Sequence, residues 1–276
     1  TAMTWDKGDN IYALRGNRSR DFFRYSVRNR TWTRLAYTPM EIGNGADLTY
    51  ASGSQGGDYI YCLRGYQTAN AWRYRISTNT WEWLAVKAPV NMGEALTYLG
   101  GSSFCYGRTP AGEERVYYLQ GYYGVGFGYY SIGNGTWTAI NNFPVNTLTA
   151  STLVWSGPGG TNSQYLWAAT RNNVANWTNP TYALIYRYDM GANTWLEMAS
   201  SPNSYGNIYG DNLINSHFAW TGGNYIYRLG GVLYDSNGAI WVYTNWLERY
   251  SISGNSWSTL TVSPFTQAMG AALCYI

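Results

Sequence analysis

The sequence contains few charged residues and almost no histidine. Charged residues make up 12% of the chain, the net charge is +3, and His217 is the only histidine. A copper centre with several imidazole ligands is therefore excluded by count. So mild a charge balance does not indicate nucleic-acid binding. We predict no catalytic residue, no metal site and no cofactor.

The three cysteines are too widely spaced for a metal-binding motif. Cys62, Cys105 and Cys274 show none of the spacings of a zinc site, and an odd number leaves at least one thiol unpaired. A disulfide between Cys62 and Cys105 is one interpretation of this pattern. Three buried, unreactive thiols are the other.

Long apolar runs are also missing. No stretch approaches the roughly 20 apolar residues of a membrane-spanning helix, and residues 1–5 do not resemble a signal sequence. We expect an extracellular or cell-surface protein whose signal peptide has already been removed, with no membrane insertion. Four N-glycosylation sequons suit such a location, and they begin at Asn17, Asn29, Asn134 and Asn176.

Aromatic residues, by contrast, are abundant, at 18% of the chain. Five copies of a tyrosine followed by six residues and a tryptophan recur at roughly regular intervals, at Tyr25/Trp32, Tyr74/Trp81, Tyr130/Trp137, Tyr188/Trp195 and Tyr250/Trp257. Strand-like alternation leads into each tyrosine, and turn-forming residues such as Ser77-Thr78-Asn79 precede the tryptophan. Each copy is predicted to be a β-hairpin whose second strand starts at the tryptophan.

Two further strands precede each hairpin. The nearer one, for example Ile11-Tyr12-Ala13-Leu14, is nearly all apolar, which is typical of a strand buried on both faces. The other is a short strand that ends in a large apolar residue, any residue and an aromatic residue. Its copies are Met3-Thr4-Trp5, Leu48-Thr49-Tyr50, Leu96-Thr97-Tyr98, Leu153-Val154-Trp155, Phe218-Ala219-Trp220 and Leu273-Cys274-Tyr275.

These four strands form a unit that repeats about every 50 residues, which is typical of a β-propeller blade. We predict an all-β fold in which residues 1–276 form a single five-bladed β-propeller of four-stranded antiparallel blades. The predicted blades span residues 1–36, 46–85, 95–140, 149–199 and 212–261, and residues 270–276 form a surplus terminal strand. Residues 100–115 are interpreted as a long link that contains Cys105.

The blades resemble kelch repeats, which carry a pair of small residues at the end of the second strand and an Asn-Thr-Trp-like turn further on. Asn79-Thr80-Trp81 and Asn193-Thr194-Trp195 match the turn, and Gly230-Gly231 matches the small pair. The resemblance covers essentially the whole chain. The first four repeats depart from the glycine pair, with Arg15-Gly16, Arg64-Gly65, Gln120-Gly121 and Ala169-Thr170. Kelch-like propellers include copper oxidases that resemble galactose oxidase, but this chain lacks the two histidine ligands of that site.

The surplus strand gives the first hypothesis of function. Three explanations compete: the chain is a segment of a longer propeller, one blade has a fifth strand, or a terminal strand pairs with a neighbouring molecule. The third predicts a non-enzymatic structural or adhesive module that binds copies of itself by strand exchange and forms a filament. The predicted contact residues are Met3, Trp5, Ala271, Ala272, Leu273, Cys274, Tyr275 and Ile276.

Two other functions stay open. A lectin-like propeller would bind cell-surface protein or glycan through loops at residues 171–181 and 232–245, whose aromatic rings can stack on sugars. Its predicted residues are Trp177, Tyr182, Tyr234, Trp241, Arg15 and Arg64. A glycosidase or sialidase-like enzyme is the third hypothesis, although the carboxylates are few and scattered. The one concentration of charge is the first repeat, where seven arginines either form a binding patch or protect an edge strand.

Overall fold

A computed structural model describes most of the chain. The described residues are 2–43, 45–53, 57–66, 68–84, 88, 102–121, 124–147, 151–157, 162–171, 183–201, 218–229, 232–235, 240–243 and 245–262. They form 22 strands in antiparallel pairs and contain no helix. The predicted all-β, five-bladed propeller is confirmed. The predicted surplus strand at 270–276 lies outside the described residues.

Each blade is a four-stranded antiparallel sheet. Blade 1 contains β1 (Ala2–Trp5), β2 (Asn10–Leu14), β3 (Phe22–Ser26) and β4 (Thr31–Arg34). Blade 2 contains β5 (Asp47–Tyr50), β6 (Tyr59–Leu63), β7 (Ala71–Arg75) and β8 (Thr80–Trp83). Blade 3 contains β9 (Ser103–Arg108), β10 (Glu114–Leu119), β11 (Phe127–Ser131) and β12 (Thr136–Ala139).

Blades 4 and 5 follow the same order, with one insertion. Blade 4 contains β13 (Thr152–Trp155), β14 (Tyr165–Arg171), β15 (Ala183–Asp189) and β16 (Thr194–Met198). Blade 5 contains β17 (Phe218–Trp220), β18 (Tyr225–Leu229), β21 (Leu247–Ser251) and β22 (Ser256–Thr259). A separate hairpin of β19 (Val232–Asp235) and β20 (Ile240–Tyr243) lies between β18 and β21 in the chain. The insertion predicted as a loop at 232–245 therefore contains two strands.

The repeated hairpins have the predicted pairing. In every copy the tyrosine lies directly opposite the tryptophan, and the two ring centroids are 4.9–5.3 Å apart. The second strand begins one residue before the tryptophan. The residue two positions before each tryptophan has a positive φ, and these residues are Arg30, Asn79, Gly135, Asn193 and Asn255. Asparagine and glycine tolerate that conformation best, which explains the composition of the turn.

The first strand of blade 3 differs from the prediction. Phe104-Cys105-Tyr106 in β9 takes the place that the pattern assigned to residues 96–98, which lie outside the described residues. Residues 100–115 therefore do not form a long link, because they contain β9 and the tight turn into β10. A local pattern cannot choose between two matching triplets. The short connection that pairs β9 with β10 decides in favour of the second.

The hydrophobic core lies between the blades. One cluster joins blades 1 and 2, a larger one joins blades 2, 3 and 4, and a third joins blades 4 and 5. At the first of these interfaces Trp72 and Tyr74 of blade 2 are fully buried, and the Tyr74 ring packs edge-on against Phe22 of blade 1 at 4.9 Å. Stacking of neighbouring blades is what removes both faces of each sheet from water.

Candidate functional site

The first strands of the five blades surround a central channel. First strands of successive blades from 1 to 5 contact one another, and together all five line a cavity of about 360 Å³. Their residues fall into four equivalent positions. We call these positions one to four, for example Asp47, Leu48, Thr49 and Tyr50 in β5.

Side chains at position one tie blade 2 to blade 3, blade 3 to blade 4 and blade 4 to blade 5. Asp47 Oδ2 accepts hydrogen bonds from the backbone N–H of Phe104 and from Ser103 Oγ, both at 2.8 Å. Ser103 Oγ in turn accepts the N–H of Leu153 at 3.1 Å. The N–H of Phe218 lies 3.4 Å from Thr152 Oγ1 and completes the series. A polar residue before the apolar pair of the first strand is therefore a structural clamp between blades.

Threonines at position three add a second set of clamps. Thr4 Oγ1 accepts the N–H of Tyr50 at 3.0 Å, and Thr49 Oγ1 accepts the N–H of Tyr106 at 2.9 Å. Each bond crosses from one blade to the next. Blades 2 and 3 are therefore joined by side-chain bonds at two levels of the channel, and blades 1 and 2 at the level of position three.

Asp47 is the only acid among the described residues that line the channel. Its carboxylate also accepts the N–H of Leu48 at 2.8 Å, so both oxygens are engaged. The Asp47 side chain as a whole is half-buried, but its carboxyl group lies deep inside the ring. Burial therefore raises the pKa of Asp47 to about 6, against the opposing effect of its hydrogen-bond donors. A single carboxyl group of this kind does not provide the pair of acids that glycoside hydrolysis requires.

Position four forms an aromatic collar at one level of the channel, composed of Trp5, Tyr50, Tyr106, Trp155 and Trp220. Four of these side chains donate a hydrogen bond to a backbone carbonyl of the hairpin that follows them, at 2.7–2.9 Å. The Trp220 ring also packs on Gly157, where an added Cβ would lie 2.0 Å from the ring. The collar is therefore a rigid apolar lining with its polar atoms already used.

The junction between blades 5 and 1, which we call the seam, differs from the other four junctions. We define the leading face of a blade as the face toward the preceding blade. Its members are fully buried in blade 2, where Ile60, Cys62 and Trp72 are 0% exposed and Tyr74 is 1% exposed. Three of the four equivalent residues of blade 1 are more open: Ile11, Phe23 and Tyr25 are half-buried, whereas Ala13 is buried. Trp32 is 57% exposed, whereas its equivalent Trp81 in blade 2 is half-buried.

Hydrogen bonds between blades also distinguish the seam. The indole N–H groups of Trp81, Trp195 and Trp257 each donate to a carbonyl of the preceding blade, at 2.8–3.4 Å. Within the described part of the chain, Trp32 makes no such bond. Asn79 and Asn255 each accept a backbone N–H of the preceding blade and the hydroxyl of their own hairpin tyrosine. Arg30 occupies this position in blade 1 and cannot accept a hydrogen bond.

The predicted site residues do not form one cluster. Arg15 pairs with Asp21 at 2.9 Å, and hydrogen bonds from Arg15 and Arg34 lower the pKa of Asp21 to about 2. The Arg64 guanidinium instead donates to the carbonyl of Glu41. Two other predicted groups have clear positions. Met3 and Trp5 line the channel, and Tyr234 lies opposite Trp241 in the β19–β20 hairpin. Trp177, Tyr182 and residues 271–276 lie outside the described residues.

The cysteines are thiols where the structure describes them. Cys62 and Cys105 are buried and free, so the interpretation of a disulfide between them is wrong. Burial raises the pKa of both thiols well above the ordinary range, which makes them unreactive. Cys274 lies outside the described residues. Among the described residues no group of three or more His, Cys, Asp or Glu side chains is placed to hold a metal ion. The same residues contain no helix long and apolar enough to span a membrane.

Comparison with solved structures identifies the same architecture in other proteins. The structure of YjhT matches with a TM-score of 0.66 at 13% identity, over 99% of this chain and 86% of YjhT. A fungal alcohol oxidase of the AA5 family, in complex with copper, matches with a TM-score of 0.56 at 13% identity, over 97% of this chain. The matched region is 54% of the oxidase, so this chain spans about half its length. No protein-family model and no curated protein matches the sequence.

At 13% identity these likenesses show the fold alone. The five-bladed propeller is thus supported by its own geometry and by its structural neighbours, whereas membership of the kelch-repeat family stays a prediction. The polar clamps at Asp47, Ser103 and Thr152 were not among the predicted site residues. The sequence does contain a signal for them, a polar residue directly before the short-strand triplet. His217 occupies this position in blade 5.

Proposed function

We propose that this protein is a non-enzymatic structural or adhesive module outside the cell, and that its copies associate head to tail into a filament. The observation that carries the proposal is the open leading face of blade 1. Ile11, Phe23, Tyr25 and Trp32 are apolar, and they are more accessible than the equivalent residues Ile60, Trp72, Tyr74 and Trp81 of blade 2. Apolar surface that stays accessible to water, as at Trp32, is typical of a protein interaction site.

The other junctions indicate what this face is shaped to receive. In the four closed junctions the leading face packs against the trailing face of the preceding blade, as Tyr250 of blade 5 packs on Trp167 of blade 4. The trailing face of blade 5 is also half-buried, at Tyr227, Leu229 and Leu247. Blade 5 of one copy can therefore serve as the blade that precedes blade 1 of the next.

The terminal segment 270–276 is the proposed donor in this contact. Its sequence, Ala-Ala-Leu-Cys-Tyr-Ile after Gly270, repeats the pattern of a first strand. All five described blades already have four strands, so the donated strand would not fill a vacancy within a sheet. It would instead pack in the seam as the beginning of an additional blade, where it covers the leading face of blade 1.

Such a contact joins two different surfaces, so it propagates unless the geometry closes a ring. Light scattering with size-exclusion chromatography and negative-stain imaging test the proposal. The wild type should form linear polymers, and a chain ending at Phe265 should not. Trp32→Ala should weaken assembly, whereas Trp83→Ala should not, although Trp83 is also an exposed tryptophan (54%) on an outer strand. Monomeric wild-type protein at every concentration would contradict the proposal.

Glycan binding is a second candidate, supported by the β19–β20 hairpin, which places Tyr234 opposite Trp241. Two aromatic positions that face each other across a hairpin are suited to stacking on a sugar. A glycan array tests this function: specific, saturable binding should be lost in Trp177→Ala and Trp241→Ala. An enzymatic function would be revived by turnover of any glycoside that Arg64→Ala abolishes.

A further inference from the structure

Two arginines from different blades flank one tyrosine on the side of the ring where β2 and β6 end. The guanidinium carbons of Arg18 and Arg64 lie 5.5 and 5.4 Å from the centroid of the Tyr66 ring. The two carbons are therefore at most 10.9 Å apart, the sum of those distances. The predicted pair of Arg15 and Arg64 is replaced here by Arg18 and Arg64, because Arg15 is engaged by Asp21.

The backbone holds this arrangement from both sides. The N–H of Arg18 donates to the carbonyl of Ile42 at 3.1 Å, and the N–H of Gly43 donates to the carbonyl of Arg64 at 3.1 Å. The Nε of Arg64 donates to the carbonyl of Glu41 at 3.1 Å. The link at residues 41–43 thus fixes the loop of blade 1 to the loop of blade 2.

Local geometry at the site is unusual for the residue types involved. Asn17, Arg18 and Tyr66 all have left-handed backbones, with φ of 50°, 56° and 62°. This conformation costs free energy in residues other than glycine and is concentrated at functional sites. Gly43 is required beneath the tyrosine, because a Cβ there would lie 2.4 Å from Tyr66 Cβ.

Positive charge at this site is not neutralised within the described chain. Neither Arg18 nor Arg64 takes part in an ion pair among the described residues, and the Asp21 carboxylate is occupied by Arg15 and Arg34. Residues 2–43 hold eight Lys and Arg residues against four Asp and Glu residues, a net +4 in a chain whose total is +3. The basic character of the protein is therefore confined to blade 1 and its border with blade 2.

We propose that Arg18, Arg64 and Tyr66 form a binding site for an acidic polysaccharide. Each guanidinium has donors left that match a carboxylate or sulfate group in a two-pronged hydrogen bond. The half-buried tyrosine ring supplies an apolar edge against a sugar. A total charge of +3 is too small for the many phosphate contacts of nucleic-acid binding, so a sparsely charged sugar polymer fits better. This site is independent of the seam and does not require self-assembly.

Isothermal titration at low salt tests the site with polygalacturonate, dextran sulfate and neutral dextran. The wild type should bind one or both acidic polymers but not dextran, and which acidic polymer binds identifies the anionic group. Arg18→Gln and Arg64→Gln should each weaken binding at least about tenfold, because each removes a charge-assisted hydrogen bond. Arg28→Gln removes an equal charge from an exposed turn of the same blade and should change binding less than twofold.

Three results would overturn the proposal: no binding to either acidic polymer, equal binding to neutral dextran, or an equal loss in Arg28→Gln and Arg64→Gln. The last would mean that only the general positive field of blade 1 attracts the polymer. Arg64→Lys separates geometry from charge, since lysine keeps the charge but loses the planar fork. We expect Arg64→Lys to bind more weakly than the wild type. Thermal melting of each variant confirms that the fold is intact.

Discussion

The junction of blades 1 and 2 and the seam of blades 5 and 1 use the same positions of the repeat but bury them very differently. At the closed junction, Trp72 and Tyr74 are inaccessible to water, Asn79 accepts a backbone N–H of blade 1, and Trp81 donates to a carbonyl of blade 1. At the seam, Phe23 and Tyr25 are half-buried, and arginine replaces the asparagine. A blade can thus keep the sequence pattern of the repeat while the residues at one of its junctions stay accessible to water.

The largest expected difference between the two junctions comes from their large apolar side chains. Trp72→Ala should lower the free energy of unfolding by about 3–5 kcal/mol, because it empties a fully buried site. Phe23→Ala, at the equivalent position of the seam, should cost about half as much. Urea denaturation with both variants measures the difference. Equal costs would mean that the seam is closed in solution.

Trp72→Phe is the matched control for that experiment. The indole Nε1 of Trp72 is buried without a hydrogen-bond partner in the described structure. Phenylalanine removes this unsatisfied donor while it keeps most of the apolar volume. The variant should therefore cost less than about 1.5 kcal/mol.

A second difference concerns the junction of blades 4 and 5, which contains a buried ion pair beside its apolar residues. Arg228 and Glu248 are paired across the strands at 3.1 Å, are 1% and 0% exposed, and occupy the positions of Cys62 and Trp72. Glu248→Gln should cost about 3–5 kcal/mol, since it removes the carboxylate that faces a buried guanidinium.

The double variant Arg228→Met with Glu248→Leu tests whether that cost comes from the buried positive charge that Glu248→Gln leaves in place. An apolar pair at these positions should be nearly as stable as the wild type, because both desolvated charges are removed together. Ser201, which donates to Glu248 at 2.8 Å, would lose its acceptor and set a small residual cost. A double variant as unstable as Glu248→Gln would show that the ion pair itself closes the junction.

Stability should also depend on pH through the clamp between blades 2 and 3. The pKa of Asp47 is about 6 in the folded protein against an ordinary value of 3.8, so the folded state favours the protonated form. The free energy of unfolding should therefore fall as pH rises from about 4 to about 6.5. The contribution is at most about 3 kcal/mol. The carboxyl groups with lowered pKa, such as Asp21, act in a different window, below about pH 4.5.

Asp47→Asn isolates this effect. The variant lacks the titrating group, and its amide N–H₂ must face a backbone N–H, so it should be less stable than the wild type at pH 4. The gap between the two proteins should narrow as pH rises to 7, because only the wild type loses stability. Denaturation curves at several pH values give this gap. A constant gap would show that the carboxyl group of Asp47 has an ordinary pKa in the folded state, and a widening gap would show a lowered pKa.

The features predicted correctly from the sequence are those decided within a few residues. The spacing of Tyr25 and Trp32 fixes a hairpin because the two partners are joined by one short turn. The clamp between Asp47 and the N–H of Phe104 was not predicted, since its partners are 57 residues apart. Blade 3 was misaligned because residues 96–98 and 104–106 carry the same apolar pattern. Only pairing with β10 separates them.

The accessibility of the seam was not predicted from the sequence either. Trp32 looks like the four other hairpin tryptophans, and its exposure depends on what blade 5 presents to it. One local signal was available: Arg30 stands where the other blades have asparagine or glycine two positions before the tryptophan. Arg30 is thus the one residue of this turn that distinguishes the seam from the other junctions.

The smallest expected effects come from substitutions two positions before the hairpin tryptophan, at Asn79 in blade 2 and at Arg30 in blade 1. Asn79→Ala removes the acceptor for the hydroxyl of Tyr74 and for the N–H of Ala36, and it places alanine in a left-handed backbone. It should cost about 1–2 kcal/mol.

Arg30→Asn should do the reverse and stabilise the protein by less than about 1 kcal/mol, because asparagine tolerates the backbone at φ 55° and can accept a hydrogen bond from the hydroxyl of Tyr25. If Arg30→Asn also reduces self-association, the introduced asparagine favours closure of the seam within one molecule over the contact between copies. If it stabilises the monomer without changing association, the turn and the leading face act separately.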